Sequence, residues 1–419
     1  MDTHQVVPRV NSAAMEIDVE APILKLVAYC RMNDWAGDDP YDALNSPLFR
    51  TLPFLDHRLP RLVLTQALKR SPVNFRRLLH IPKTQNPKAI ALFLSAFVTL
   101  ERIDAASQKN DIEKMIERLC DLRSPRTDYW CWGYSFPWQT RTIVVPSGAP
   151  NLVCTSFVAN SLFDAFDHGG NSHCLNMAVS AAEYILNELY WSEGSNAGFS
   201  YPARSLHSQV HNANFLAAAL LCRAYRHTND DKFLHPALRV AQYSATKQHP
   251  DGSWHYGESP SQRWIDNFHT GYNLCALRAI SRYAATTEFD AVIERGFEFY
   301  RSHFLQEDGS VRYFHDRRYP VDIHCVAQSI ITLLSFREMD SSNLAMAQSV
   351  LRWALIHMWD DRGFFYYRVL RSWTDRTSYM RWSQAWMLLA MVMLLEVSAG
   401  QDGLDEVDQR FAGIVREGA

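Results

Sequence analysis

The sequence predicts an all-α fold, an (α/α)6 toroid of six helical hairpins with short β-hairpins in the loops of one rim. Three observations predict it: a repeat of about 57 residues, an alternation of two kinds of helix, and a Gly-aromatic-Tyr element in the connections. Such periods are the mark of repeat architectures and are sought before any local reading.

Five segments resemble one another. They are CTSFVANSLFDAF from Cys154, HNANFLAAALL from His211, HTGYNLCALRAI from His269, HCVAQSIITLL from His324 and RWSQAWMLLAM from Arg381. Their starts are separated by 57, 58, 55 and 57 residues. Each opens on a polar residue and continues as a helix apolar nearly all round, which requires burial on every side. Between them lie helices with one charged face, over 172–191, 230–248, 288–305 and 342–359. An inner and an outer ring explain that alternation. An earlier pair is read as outer at 57–79 and inner at 87–100, where Pro87 suits a first helical turn. With an outer helix at 107–122, six inner helices start near 88, 154, 211, 269, 324 and 381.

The connections carry the second repeat. Gly-aromatic-Tyr elements surround Tyr134 and end at Tyr201, Tyr256, Tyr313 and Tyr367. Asp-Gly pairs flanked by alternating aromatics predict tiny hairpins. The toroid therefore spans 56–398, preceded by an extension at 1–55 and followed by a tail at 399–419.

Composition narrows the function classes. Of 419 residues, 47% are hydrophobic and 12% aromatic, enough for one large core, and the net charge of −3 points away from nucleic acid. The longest apolar stretch, 385–395, is shorter than the roughly 20 residues of a membrane span. No secretory signal opens the chain, and eight scattered cysteines without a CxxC pair read as free thiols in a reducing cytoplasm. The pattern carries no signature of oligomeric state.

If all inner helices run one way, their N-termini share a rim, and helix N-termini favour anionic groups. The repeat places His211, His269, His324 and Arg381 at equivalent rim positions, with Asp266, Asp322, Tyr379, Arg376 and Asp375 in the adjoining loops. Trp130, Trp132, Tyr134, Trp138, Trp254, Tyr256, Trp264 and Trp382 cluster in the same segments. Any one histidine can be a packing residue, and Asp266 or Asp322 can simply cap a helix. Three histidines at one register, each beside an acid or amide, point instead to a catalytic mouth.

Two histidines across a cavity can exchange protons near neutral pH, which suits epimerisation or elimination beside a carboxylate. Arg381 and Arg376 are candidate anion clamps and Tyr379 a candidate acid. Tyr134, Trp132, Trp254, Tyr256, Trp264 and Trp382 are candidate sugar platforms. A glycosidase would use the carboxylates of Asp266 and Asp322 instead. No HExxH, paired-cysteine, P-loop or GxGxxG motif stands in a suitable setting, so neither metal nor cofactor is expected.

The six-hairpin pattern resembles that of (α/α)6 carbohydrate-active enzymes, which implies a sugar or oligosaccharide partner and histidine or aspartate chemistry at the rim. The group includes sugar epimerases, uronate lyases and six-hairpin glycosidases. More narrowly, DPYDALNSP (39–47), KRSPVNFRRLLHIPKTQNPKAIAL (69–92), DGSWHYGE (251–258) and WIDNFHTGYNL (264–274) resemble a family encoded in bacterial exopolysaccharide clusters. That resemblance implies a role in polysaccharide biosynthesis, either as an enzyme or as a non-catalytic glycan-binding or assembly protein. KQHPDGSW (247–254) is also similar to the Gln-x-x-x-Gly-x-Trp repeat of terpene cyclases, but it occurs once and no DxDD box accompanies it. A structural staple is the expectation there.

Overall fold

The computed structural model describes residues 18–52, 56–103, 107–140 and 143–400. In chain order the first helices are α1 (Glu20–Met32), α2 (Leu48–Thr51), α3 (Arg58–Arg70), α4 (Pro87–Arg102), α5 (Lys109–Asp121), α6 (Leu152–Gly169) and α7 (Ser172–Tyr184). They continue as α8 (His211–Thr228), α9 (Asp231–Ala245), α10 (Asn267–Tyr283), α11 (Asp290–Phe304), α12 (Ile323–Ser335), α13 (Ser342–His357) and α14 (Ala385–Ser398). Helices α4, α6, α8, α10, α12 and α14 each pack on the next, and α14 returns to α4, closing the inner ring. Their sequences are apolar all round because both sides are covered: nearly every residue of α4 and α12 is buried. Outside them α5, α7, α9, α11 and α13 each cover the preceding inner helix through one apolar face.

The sixth outer helix departs from the sequence reading, which put an outer helix at 57–79. Helix α1 takes that place. It packs on α14 and buries Ile23, Leu26, Val27 and Cys30 in the common core. Two glycines show the equivalence. Gly252, in the loop before α10, has φ +91°, and a Cβ there would lie 2.2 Å from the carbonyl oxygen of Arg295 on α11. Gly363, before α14, has φ +92°, and a Cβ would lie 2.6 Å from the carbonyl oxygen of Lys25 on α1. Each loop thus presses on the next outer helix, at a contact and a backbone conformation that only glycine accepts. Helix α1 and the loop before α14 close the circle.

Helix α3 sits at the rim instead. It contacts the 42–45 turn and residues 138–139, and buries only Thr65 and Leu68. Its short apolar stripe was indistinguishable, in sequence, from an outer-ring face.

The loop elements are small. β1 (Trp138–Gln139) pairs with β2 (Val144–Val145), and β3 (Tyr190–Glu193) with β4 (Asn196–Phe199). β5 (Val321–Asp322) is one edge of a three-stranded sheet with β8 (Arg368–Val369) and β9 (Thr374–Asp375), while β6 (Trp359–Asp360) pairs with β7 (Phe364–Phe365). The expected hairpins at Asp251-Gly252 and Asp308-Gly309 are reduced to tight turns, the second closed by a single antiparallel bridge between Leu305 and Val311. There the Asp251 and Asp308 carboxylates accept the backbone N–H groups of Ser253 and Ser310, satisfying locally what a ladder would otherwise take. No helix among the described residues is long and apolar enough to cross a membrane. Of the 399–419 tail, 401–419 lies outside the described residues.

Candidate active site

The N-caps set the register of the rim. Asn86, Asn151, Val210, Asp266 and Asp322 precede α4, α6, α8, α10 and α12, and Tyr379 precedes a π-helical turn (Met380–Gln384) that leads into α14. Asn86, Asn151, Asp266 and Asp322 accept first-turn N–H groups through their side chains, the usual reason for Asn or Asp at such a place. Two residues beyond these six positions stand Lys88, Val153, Asn212, Phe268, His324 and Arg381. All six line one cavity of about 430 Å³. The inner-helix N-termini therefore do meet at a single mouth.

The same register explains why His211 is absent from it. His211 is the first residue of α8, whereas His324 is the second of α12. One residue turns a helical side chain by about 100°. Asn212 takes the cavity position, with its Oδ1 buried and lacking a hydrogen-bond partner. His211 is buried behind it, and burial pushes its imidazole down to about 4.

His269 stands one residue later still, at the third position of α10, and reaches the cavity because Asp266 holds it. The Asp266 carboxylate takes the backbone N–H of His269 on Oδ1 at 3.0 Å. Its Oδ2 takes His269 Nδ1 at 2.7 Å and Trp264 Nε1 at 2.9 Å. In the neutral tautomer with its proton on Nδ1, where Asp266 accepts it, Nε2 carries the lone pair. Tyr256 stacks on Trp264 at 4.5 Å and leans on His269 at 4.6 Å, clamping both rings.

His324 is deeper. Its Nε2 pairs with the Tyr272 hydroxyl at 2.6 Å and its Nδ1 with the Trp382 carbonyl at 3.2 Å. A carbonyl only accepts, so Nδ1 carries the proton and Tyr272 donates to Nε2. Burial, then Lys88 and Arg381, push His324 well below its ordinary range, while burial pushes Tyr272 well above its own. Both groups stay neutral: one keeps its phenolic proton and the other its lone pair.

The remaining predicted residues divide. Tyr134, Tyr256, Trp264, Asp266, Arg381 and Trp382 line the cavity with the two histidines. Arg381, however, is not a free clamp, because its Nε and Nη2 bond both oxygens of Asp39 at 2.6 and 2.8 Å. Asp322 lies behind the wall, accepting from His324 N, Arg368 Nη2 and Trp382 Nε1. Trp132 and Trp254 are core residues whose indoles donate to the Leu119 and Ser244 carbonyls. Trp254 completes the expected staple, in which Gln248 bonds the Val292 carbonyl of α11. Tyr379 packs edge-on against Tyr367 beneath Arg76, and Arg376 sits over Tyr366 away from the mouth. Among the described residues no group of three or more His, Cys, Asp or Glu converges on a metal position.

Sequence reasoning missed several lining residues. Tyr201 and Tyr313 end Gly-aromatic-Tyr elements and join Tyr134 and Tyr256 on the wall. That repeat was the available signal, and only Tyr367, the fifth, packs elsewhere. Lys88 was visible as a charge inside an apolar helix, an arrangement that demands an explanation. Tyr41, which Lys69 meets at 2.5 Å, had no local signal because its segment is placed by long-range contacts.

No family model matches the chain, and no curated protein matches it. Solved structures do. A cellobiose 2-epimerase from Bacillus thermoamylovorans superposes with a TM-score of 0.57 at 11% identity, over 75% of this chain and 89% of that one. An unsaturated glucuronyl hydrolase gives 0.61 at 11%, over 91% and 96%. A D-mannose isomerase gives 0.57 at 11%, over 74% and 87%. At these identities the likeness establishes the fold: the chain is an (α/α)6 toroid.

Proposed function

We propose that the chain is a sugar-directed enzyme that moves a proton at a sugar carbon without a cofactor, as an epimerase or a lyase. The Asp266–His269 pair carries this reading. A neutral imidazole with Nδ1 held by a buried carboxylate presents Nε2 as a general base. The proton leaves carbon for Nε2, and the carbanion charge spreads into an adjoining carbonyl or carboxyl group. In epimerisation the Tyr272 hydroxyl gives its proton to the opposite face, and the proton taken up by His269 passes through solvent to restore the phenol. In elimination the leaving oxygen takes it.

The tyrosine-lined wall suits pyranose faces, and the solved structures of like fold named above are named for sugar substrates. The stretches resembling exopolysaccharide-cluster proteins support a place in bacterial polysaccharide biosynthesis, with a cytoplasmic location. Hydrolysis by Asp266 and Asp322 is the weaker reading. It needs two carboxylates flanking one bond, whereas Asp266 is committed to His269 and Trp264, and Asp322 to Arg368 and Trp382. A pure glycan binder has no need of a carboxylate-oriented imidazole.

The test is incubation of candidate sugars in heavy water. Deuterium entering a ring carbon without bond cleavage selects epimerisation, and a new ultraviolet-absorbing double bond selects elimination. Either must vanish in His269→Asn. Glycosidic cleavage with neither carbon-bound deuterium nor a new double bond would sink the proposal.

A further inference from the structure

The floor of the cavity holds a group that the proton chemistry does not use. Lys88 is only 3% exposed, although it lines the mouth. Its Nζ lies 3.9 Å from the Phe157 ring centre, 5.1 Å from Trp386 and 5.4 Å from Tyr272. These ring faces attract a cation but accept no strong hydrogen bond from it. No acidic side chain among the described residues lies within ion-pairing distance of Nζ. The other cation of the lining, Arg381, is already matched by Asp39.

We propose that Lys88 is the anion-binding residue of this cavity and that its ligand is a sugar bearing one carboxylate. A buried ammonium without a counter-ion is costly, and an arriving carboxylate removes that cost. Six helix N-termini converging on the same space add partial positive charge of the same sense. Among the residues that line the cavity one cation is unmatched, and a carboxylate brings the single charge that matches it.

Protonation is coupled to this docking. Burial, and then Arg381 on the first turn of the neighbouring element, push the Lys88 amine well below its ordinary range. Cys154 on α6 and Asp39 on the rim oppose them, and Tyr272 and His324, facing it from α10 and α12, are neutral. A bound carboxylate favours the ammonium, so the ligand brings a proton with it.

The experiment is calorimetric titration of the full chain with D-glucuronate, D-galacturonate and D-glucose, in buffers of different ionisation enthalpy. The wild type should bind a uronate at least about tenfold more tightly than glucose, with a net uptake of protons. Lys88→Met keeps the apolar stem, and Lys88→Gln keeps a donor. Both should lose the uronate preference and the proton uptake, with unchanged unfolding midpoints identifying intact folds. Equal binding of uronates and glucose by the wild type overturns the proposal, as does a preference that survives Lys88→Met. A borohydride-trapped adduct of an aldose on Lys88 overturns it too, because the amine would then be a nucleophile.

The inference rests on the reading of the cavity as a sugar site, not on the reaction. A Lys88-dependent uronate preference with neither deuterium entering any sugar nor a new double bond sustains it and sinks proton transfer. Deuterium entering neutral sugars with no uronate preference does the reverse.

Discussion

Asp39 and Arg381, 342 residues apart, form a two-bond ion pair in which both side chains are almost fully buried. The pair ties the segment after α1 to the turn that opens α14, and the Arg381 guanidinium lies 5.0 Å from the Tyr134 ring centre on the cavity wall. The N-terminal segment is thereby part of the mouth, and it brings Tyr41 with it.

Breaking one side of a buried pair strands the other charge. Asp39→Asn should destabilise the chain by about 3–5 kcal/mol, read as a shift in the urea midpoint. Asp39→Asn combined with Arg381→Met should cost clearly less than the two separate losses added. Simple additivity in that double-mutant cycle would show the pair to be energetically idle.

Asp266 has two separable duties. Asparagine caps a helix as well as aspartate does, so Asp266→Asn should leave thermal stability within about 1 kcal/mol of wild type. It removes the negative charge that fixes the His269 proton on Nδ1. Solvent-deuterium exchange at the sugar should therefore fall by about 10²–10⁴-fold. His211→Leu, outside the cavity, should leave exchange within about threefold, as expected for a residue that makes no contact with the reacting atoms.

His211 also gives the fold a signature against pH. It is buried and neutral in the fold, with its pKa lowered from 6.5 to about 4. The unfolded chain takes up a proton as the pH drops below 6.5, while the folded chain does not until about 4. Stability from this group is therefore whole above 6.5 and declines as the pH falls through that window, by about 3 kcal/mol at most. Below it the loss levels off. Denaturation midpoints measured from pH 7 to 4 should fall less steeply in His211→Leu than in wild type.

Gly363 seals the ring. Alanine there faces both a left-handed backbone and the Lys25 carbonyl, so Gly363→Ala should cost more than about 1 kcal/mol. Hydrogen exchange should rise selectively over α1 and the 359–365 hairpin. A uniform rise across the chain would mean that the contact is not local to that seam.

Much of the architecture was legible before any coordinates. Inner and outer helices differ in how many sides they bury, and burial is written directly into polarity, so α6 to α14 could be read from alternation alone. The two-residue offset from each N-cap could have been read as well, because Asn86, Asn151, Asp266 and Asp322 are ordinary capping residues. Aligning the repeats on polar openings instead of on caps put His211 in the mouth where Asn212 stands. That is an error of one residue, and in a helix one residue is a quarter turn.

What the sequence by itself determined is the ring, the rim that gathers the helix N-termini, and the residue types His269, His324, Asp266 and Arg381 placed along it. What only the tertiary structure decided is which charges are already spent. Asp39 neutralises Arg381, Arg368 and Trp382 occupy Asp322, Trp264 and Asp266 aim His269, and Lys88 is left unmatched on the floor. Those outcomes turn on contacts between segments separated by tens to hundreds of residues. Hydrophobic periodicity records which face of a helix is covered, but it carries no information about which distant partner covers it.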